Sequence, residues 1–396
     1  MWIIKCKCKL FWKCILLFSV IFILIERVQG GKVVFASERT FSSEEIEQEV
    51  ESSVLDNIDI KDIEDIMGDI FIEEKIGFSD LLEVVLQGEF EQINEVAYQY
   101  VVKQFFYEIQ YNRQTLIHIL LLTIFSAIFA YFANSFGNEQ IAVIGGYILY
   151  LMILIVTLQS FQVVIQDVTA KVDQVLMFMS ALCPVYFLTV AISCGTNSAV
   201  VFYNLALLCI YLVEVLILWL VIPMTNTYIL VQVLNYMTLE KRFSKLADLI
   251  KTVIDWLLKA MVIFVVGLNV IQGLLAPVAD SVERSIWLRG AEAIPVVGDA
   301  VSGTGEVVIG TLKLIKNSVG IVGLLLCIAI MIGPAIEMII LTLMYKFIAA
   351  LIEPVADQKV SSCLYSVGEG CQILLRIVFG VGLLFLITIA VVAATT

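Results

Sequence analysis

Four ionisable residues sit where an apolar chain can least tolerate them. Glu214 lies deep in one apolar run, Glu337 three residues after Pro334, Lys346 further along the same block, and Glu353 directly before Pro354. Charged side chains inside a bilayer are costly and are placed either to pair with one another or to carry ions or protons. Two readings therefore stand: pairing between helices, with Lys346 and Glu353 two turns apart as one pair, or an ion or proton path. A second group is conformational. Gly298, Gly303, Gly305 and Gly310 follow Pro295 in a stretch, 277–317, that is too polar to span and too apolar for a plain loop. Backbone loosened by glycine at membrane depth needs protein or water to satisfy its amides. This predicts either a re-entrant segment lining an aqueous path, together with the Gly333-Pro334 pair, or a surface loop with an interfacial helix.

Other chemistry finds little support. His118 is the single histidine, and no P-loop, dinucleotide-binding glycine fingerprint, HExxH or GxSxG motif occurs. Cys6, Cys8 and Cys14 lie at the start, and Cys183, Cys194, Cys209, Cys327, Cys363 and Cys371 fall in or beside apolar runs, so neither a disulfide framework nor a zinc site is indicated. We expect no catalytic residues, no cofactor and no metal. The motifs Leu182-Cys183-Pro184-Val185, Leu275-Ala276-Pro277-Val278 and Ile352-Glu353-Pro354-Val355 share an aliphatic-x-Pro-Val core. They suggest either an internal repeat with proline-broken helices, as transporters hold, or coincidence in an apolar chain.

The elements that position these residues must be membrane helices. Across 396 residues the chain is 60% hydrophobic and 15% charged, with mean hydropathy +0.97, which excludes an ordinary soluble domain. We expect an all-α, polytopic membrane protein of seven to nine spans, some proline-broken or re-entrant, with a small acidic helical ectodomain. Residues 1–36 read as a signal peptide: Lys5, Lys7, Lys9 and Lys13 precede an apolar core from Cys14 to Ile25, and Val34-Phe35-Ala36 suits cleavage. An uncleaved anchor is the alternative.

Residues 37–114 form the acidic segment. From Ser37 to Arg113 there are 20 acidic and five basic residues, a net charge of −15 against −13 for the whole chain. Such a segment repels nucleic acid, and behind a signal it belongs on the trans side of the membrane. Ile60, Ile63, Ile66, Met67 and Ile70, then Leu81, Leu82, Val85 and Leu86, predict short amphipathic helices. Aromatic residues from Tyr98 to Tyr111 mark the entry into the bilayer.

Residues 115–396 form the membrane domain. Apolar runs lie at 115–133, 141–165, 175–193, 199–222, 260–276 and 372–393. The block 199–239 would be about 60 Å long as one helix, twice the hydrocarbon thickness, which predicts a break at Pro223 and a further crossing at about 224–239. The block 319–353, about 52 Å, predicts a hairpin or broken helix at Gly333-Pro334. Residues 240–259, rich in lysine with apolar residues at helical spacing, read as a basic amphipathic helix on the membrane surface.

The carboxy-terminal third carries a resemblance. Val301-Ser302, Glu306-Val307-Val308-Ile309-Gly310, Leu314-Ile315-Lys316-Asn317-Ser318-Val319-Gly320 and the run from Tyr345-Lys346-Phe347 through Glu353-Pro354-Val355-Ala356-Asp357 resemble the stage III sporulation protein AE family of endospore-forming bacteria. The order of signal, acidic segment and polytopic domain is similar too. The resemblance implies a non-enzymatic, permease-like component of the channel linking mother cell and forespore, in the mother-cell-derived outer forespore membrane, with the amino-terminal segment facing the intermembrane space. It implies as partners the other stage III proteins (the AA ATPase, AC, AD, AG and AH) and stage II sporulation protein Q. A self-sufficient secondary transporter using the intramembrane carboxylates is the alternative.

Overall fold

Apolar residues alternating at steps of four and three build the longest elements, because that spacing keeps one stripe of a helix facing its neighbours. The computed structural model describes residues 61–70, 77–87, 90–135, 139–193, 196–237, 242–291, 298–354 and 358–395, and every one of them belongs to a single unit, Ile46–Thr396. The expected signal peptide, 1–36, lies outside the described residues, as does the acidic stretch up to 60.

In chain order the helices are α1 (Lys61–Ile70), α2 (Phe78–Gln87), α3 (Phe90–Ser135), α4 (Glu139–Ser193), α5 (Thr196–Leu212), α6 (Ile222–Met237), α7 (Ser244–Ala291), α8 (Gly298–Ile352) and α9 (Gln358–Thr395). A π-helical segment, Val213–Val221, joins α5 to α6 without interruption. No strand occurs among the described residues. Four helical stretches, 144–193, 202–236, 310–352 and 358–393, are long and apolar enough to cross a membrane. Among the described residues the protein is thus all-helical, with four candidate spans where counting apolar runs predicts seven to nine over the whole chain.

The difference arises because several runs merge. The runs 141–165 and 175–193 are one helix of 55 residues. The polar middle that separates them in sequence carries no glycine or proline. Its buried residues Phe161, Ile165, Val168, Val172, Val175 and Met179 continue the four-three stripe unbroken. Likewise α8 runs through Gly333-Pro334 with the proline inside it, so the expected hairpin or break is absent. Pro223 does not end its helix either. The irregularity falls just before it, where the Ile222 amide donates to Ile217 O, one residue further back than in an α-helix. Widening the coil there accommodates a proline ring that would otherwise crowd the carbonyl one turn earlier. The crossing expected at 224–239 is therefore the continuation of the preceding helix. Asn235, one of its polar residues, is buried and accepts the Phe243 amide at 3.0 Å, closing the turn into α7.

The basic segment 240–259 is not a separate surface helix. Its described part, from Ser244, is the start of the 48-residue α7, with Ala247, Ile250, Ile254 and Leu258 buried against the bundle. The Gly-rich stretch 277–317 is also helical where it is described: 277–291 ends α7 and 298–317 begins α8. Amides freed by glycine, the basis for a re-entrant conduit, are not a property of a helical backbone.

At the centre α9 packs along α8 and against α4, α6 and α7. Its stripe Val360, Leu364, Val367, Cys371, Leu374, Val378 and Val381 is buried throughout. α3 lies on α4 and α8, while α7 lies on α5, α6 and α9. Of the acidic segment, α1 packs on α4 and α2 on α8, through buried Ile63 and Met67 and through Phe78, Leu82 and Val85. A hydrogen bond from Ser79 Oγ to Glu64 ties the two short helices together.

Candidate functional site

The apolar stripes of the bundle carry a tier of polar side chains contributed by α3, α4, α6, α7, α8 and α9, its two halves offset along α8 from Glu337 to Tyr345 and Lys346. Its first half gathers three carboxyl groups from three helices. Glu337 of α8, 7% exposed, hydrogen-bonds to Asp167 of α4, and both lie close to Glu108 of α3 and to Lys171, one turn along α4. Glu108 accepts from Gln104 Nε2 at 2.8 Å and from Asn112 Nδ2 at 3.3 Å. It precedes the apolar part of α3, and burial together with the Asp167 carboxylate pushes it up to about 7, against the Gln104 hydrogen bond and Lys171, which favour its charge.

The second half lies across α8. The Tyr345 hydroxyl donates to Ser160 Oγ of α4 at 2.9 Å. On the next residue Lys346 Nζ donates to Gln372 Oε1 at 2.8 Å and sits 5.5 Å from the Tyr365 ring centre, both on α9. One turn before Gln372, Glu369 accepts from the Tyr228 hydroxyl of α6 at 3.1 Å and pairs with Lys251 of α7 at 3.0 Å. Arg376 pairs with Asp255 of α7 at 2.6 Å. The helices reach this closeness because α9 carries glycine where they cross. A Cβ on Gly370 would stand 2.5 Å from Ile229 Cδ1 and 2.9 Å from Phe161 Cε2. Among the described residues, no group of three or more His, Cys, Asp or Glu side chains is placed to hold a metal ion.

Of the residues singled out by sequence, the structure brings only Glu337 and Lys346 into this tier. Glu214 is exposed in the π segment. Glu353 and Pro354 form the exposed turn that ends α8, and Lys346 turns to α9 rather than to Glu353. Pro334 is buried inside α8 and Gly310 faces open space near its start; Gly298, Gly303 and Gly305 lie in the first turns of that helix. Pro184, Pro277 and Pro354 occupy unlike settings, within α4, late in α7 and in a turn, so the proline motifs do not mark equivalent positions. Sequence reasoning missed Glu108, Asp167, Lys171, Lys251, Glu369 and Arg376, and also Lys316, 2% exposed in α8. The signal was available for Asp167, which lies beside the buried stripe that crosses the polar middle of α4.

Such a tier can hold protons, orient helices and mark where the surroundings change from apolar to polar. It offers neither an activated nucleophile nor a cofactor cradle. The chain matches the profile described as Stage III sporulation protein AE (spore_III_AE) over residues 76–396. A curated relative, "Stage III sporulation protein AE" of Bacillus subtilis (strain 168), is 28% identical over 288 residues, covering 72% of this chain and 72% of the relative. No solved structure matches. With helices α2 to α9 and the whole polar tier inside the matched region, the chain belongs to the stage III sporulation protein AE family.

Proposed function

We propose that this protein is a multi-pass membrane component of a sporulation channel or secretion-like complex linking mother cell and forespore, and that late forespore gene activity depends on it. The observation that carries the reading is the family match running through residues 76–396, which contain every candidate span found among the described residues. A bilayer about 30 Å thick holds only one of the two apolar runs of α4, a helix about 82 Å long, so the polar tier lies at a membrane surface. The protein sits in the mother-cell-derived outer forespore membrane with its acidic segment in the intermembrane space. Its partners are the AA ATPase, AC, AD, AG and AH of stage III and stage II sporulation protein Q, and it performs no catalysis itself. Deleting the gene in its host should stall sporulation after engulfment while vegetative growth stays normal; undisturbed spore formation would sink the proposal.

A secondary transporter is the second reading, favoured by the Glu108–Asp167–Glu337 cluster, because carboxyl groups that share protons are what proton-coupled carriers use. Solute uptake by the purified protein alone in liposomes, abolished by Glu337→Gln, would support the carrier against the complex.

A further inference from the structure

Between Asp173 and Glu240 the chain holds a single charged residue, Glu214. It stands in the candidate span 202–236, the most apolar of the four, at the start of the π segment Val213–Val221. Val213, Ile217 and Val221 turn inward and are buried. Glu214 is exposed on the outward face with Tyr211, Val215 and Trp219, the last of them 77% exposed. The segment therefore buries its aliphatic stripe and presents its one charge to the surroundings, whereas ionisable residues within a membrane ordinarily face the bundle interior or a water-filled cavity. No described residue forms a hydrogen bond or ion pair with Glu214.

Depth makes this placement costly. Tyr228 belongs to the polar tier, which the membrane placement proposed above puts at a membrane surface. Glu214 precedes it by fourteen residues, about 21 Å along the helix, or roughly two-thirds of the way through a 30 Å hydrocarbon layer. Lysine and arginine reach the headgroups from such a position by snorkelling, but a carboxylate on two methylenes is too short. Lipid thus satisfies the apolar side chains of this face and leaves its carboxylate unmatched. A symmetric contact with a second copy supplies no cation either. No lysine or arginine occurs between Lys171 and Lys241, so such a contact sets carboxylate against carboxylate. What the face lacks is a cation from another chain, and the Tyr211 and Trp219 rings add surfaces on which an ammonium or guanidinium group can rest.

We propose that Glu214 is the docking point for a transmembrane helix of a different subunit, one that carries a lysine or arginine at the same depth. The cation pairs with the Glu214 carboxylate, and the apolar residues around it lie along Tyr211, Val215 and Trp219. This rests on the membrane placement of 202–236 and gives the complex proposed above one of its recognition contacts. Within hydrocarbon an unmatched charge is penalised on either helix, so the pair selects its partner by charge as well as by shape.

The test uses the full-length protein in sporulating cells, with the photo-crosslinking residue p-benzoylphenylalanine at position 215. Illumination should give an adduct with a membrane helix of another protein that contains a lysine or arginine. At equal protein level Glu214→Lys should lower adduct yield by about tenfold or more, Glu214→Asp should retain most of it, and replacing the captured cation by glutamate should restore the adduct in the Glu214→Lys background. An adduct only with lipid, with a second copy of this chain or with a helix lacking a basic residue would overturn the proposal, as would failure of the charge swap. Leu220→Cys tests the membrane placement separately. Fast reaction with a charged maleimide in opened vesicles would overturn that placement and this inference together, whereas slow reaction without the adduct would overturn this inference alone.

Discussion

Glu108 is 5% exposed yet carries an ionisable group beside two further carboxyl groups. Its folded-state value of about 7 lies above the ordinary 4.5, so the folded state holds this proton more tightly than the unfolded chain does. The stability linked to the proton is fully present below pH 4.5 and is lost as pH rises through about 7. Glu108→Gln keeps an acceptor for Gln104 and removes the charge. We expect this variant to melt higher than the native protein at pH 8 and close to it at pH 4.5, in thermal scans of detergent-solubilised protein. Equal melting temperatures at both values would show that Glu108 is not held protonated by its surroundings. On the far side of the tier Glu369 differs in kind, because it serves two partners, the Tyr228 hydroxyl and the Lys251 ammonium, and so anchors α6 and α7 to α9 at one point.

At the scale of elements, the crossing of α9 over α4 and α6 rests on Gly370. Gly370→Val forces Phe161 and Ile229 aside and should cost about 1–3 kcal/mol by overpacking. Gly380 lies on the same helix with open space around it. Gly380→Ala should be neutral or gain up to about 1 kcal/mol from helix propensity. The pair of variants, compared by chemical or thermal unfolding, separates packing from propensity; equal losses in both would remove the close-approach argument. These contacts also explain what could be read from sequence. Helical class and apolar character followed from composition, and the faces of α1 and α2 followed from Ile63, Met67, Leu82 and Val85. The joints did not. Counting apolar residues divides α4 at Gln166, Asp167, Lys171 and Asp173, whereas the stripe from Phe161 to Met179 passes through them. Pro223 and Pro334 were read as breaks, but the long helices around them supply packing that outweighs a lost hydrogen bond. The charged partners of Glu337 and Lys346 stand on other helices, at separations such as 337 to 167, and nothing in a local pattern announces them.

At the scale of the molecule the polar tier divides the apolar length of α4 into two parts. Gln166 is exposed at that division, and Met152 and Met177 are exposed in the runs on either side. The described cysteines Cys183, Cys209, Cys327, Cys363 and Cys371 are all buried, which favours labelling of introduced thiols. Gln166→Cys should react readily with a charged maleimide in opened membrane vesicles, while at least one of Met152→Cys and Met177→Cys is shielded. Fast labelling at all three positions would place this helix outside the hydrocarbon, and shielding at Gln166 would bury the tier within it.

The length of α4 and α8 has a mechanical consequence. Each has 55 residues, about 82 Å of continuous helix, of which roughly 50 Å would stand clear of a 30 Å hydrocarbon layer in the membrane placement proposed above. Over that lever arm, a tilt of about 10° inside the bilayer swings the free end sideways by about 9 Å. The converse holds as well. In that placement a sideways force on the projecting end would reach the membrane as torque, passing through the contacts where α8 meets α4, among them Gly320 beside Tyr186 and Gly323 beside Leu182. In the proposed membrane placement, a load applied outside the membrane would in this way be converted into rotation of helices within it.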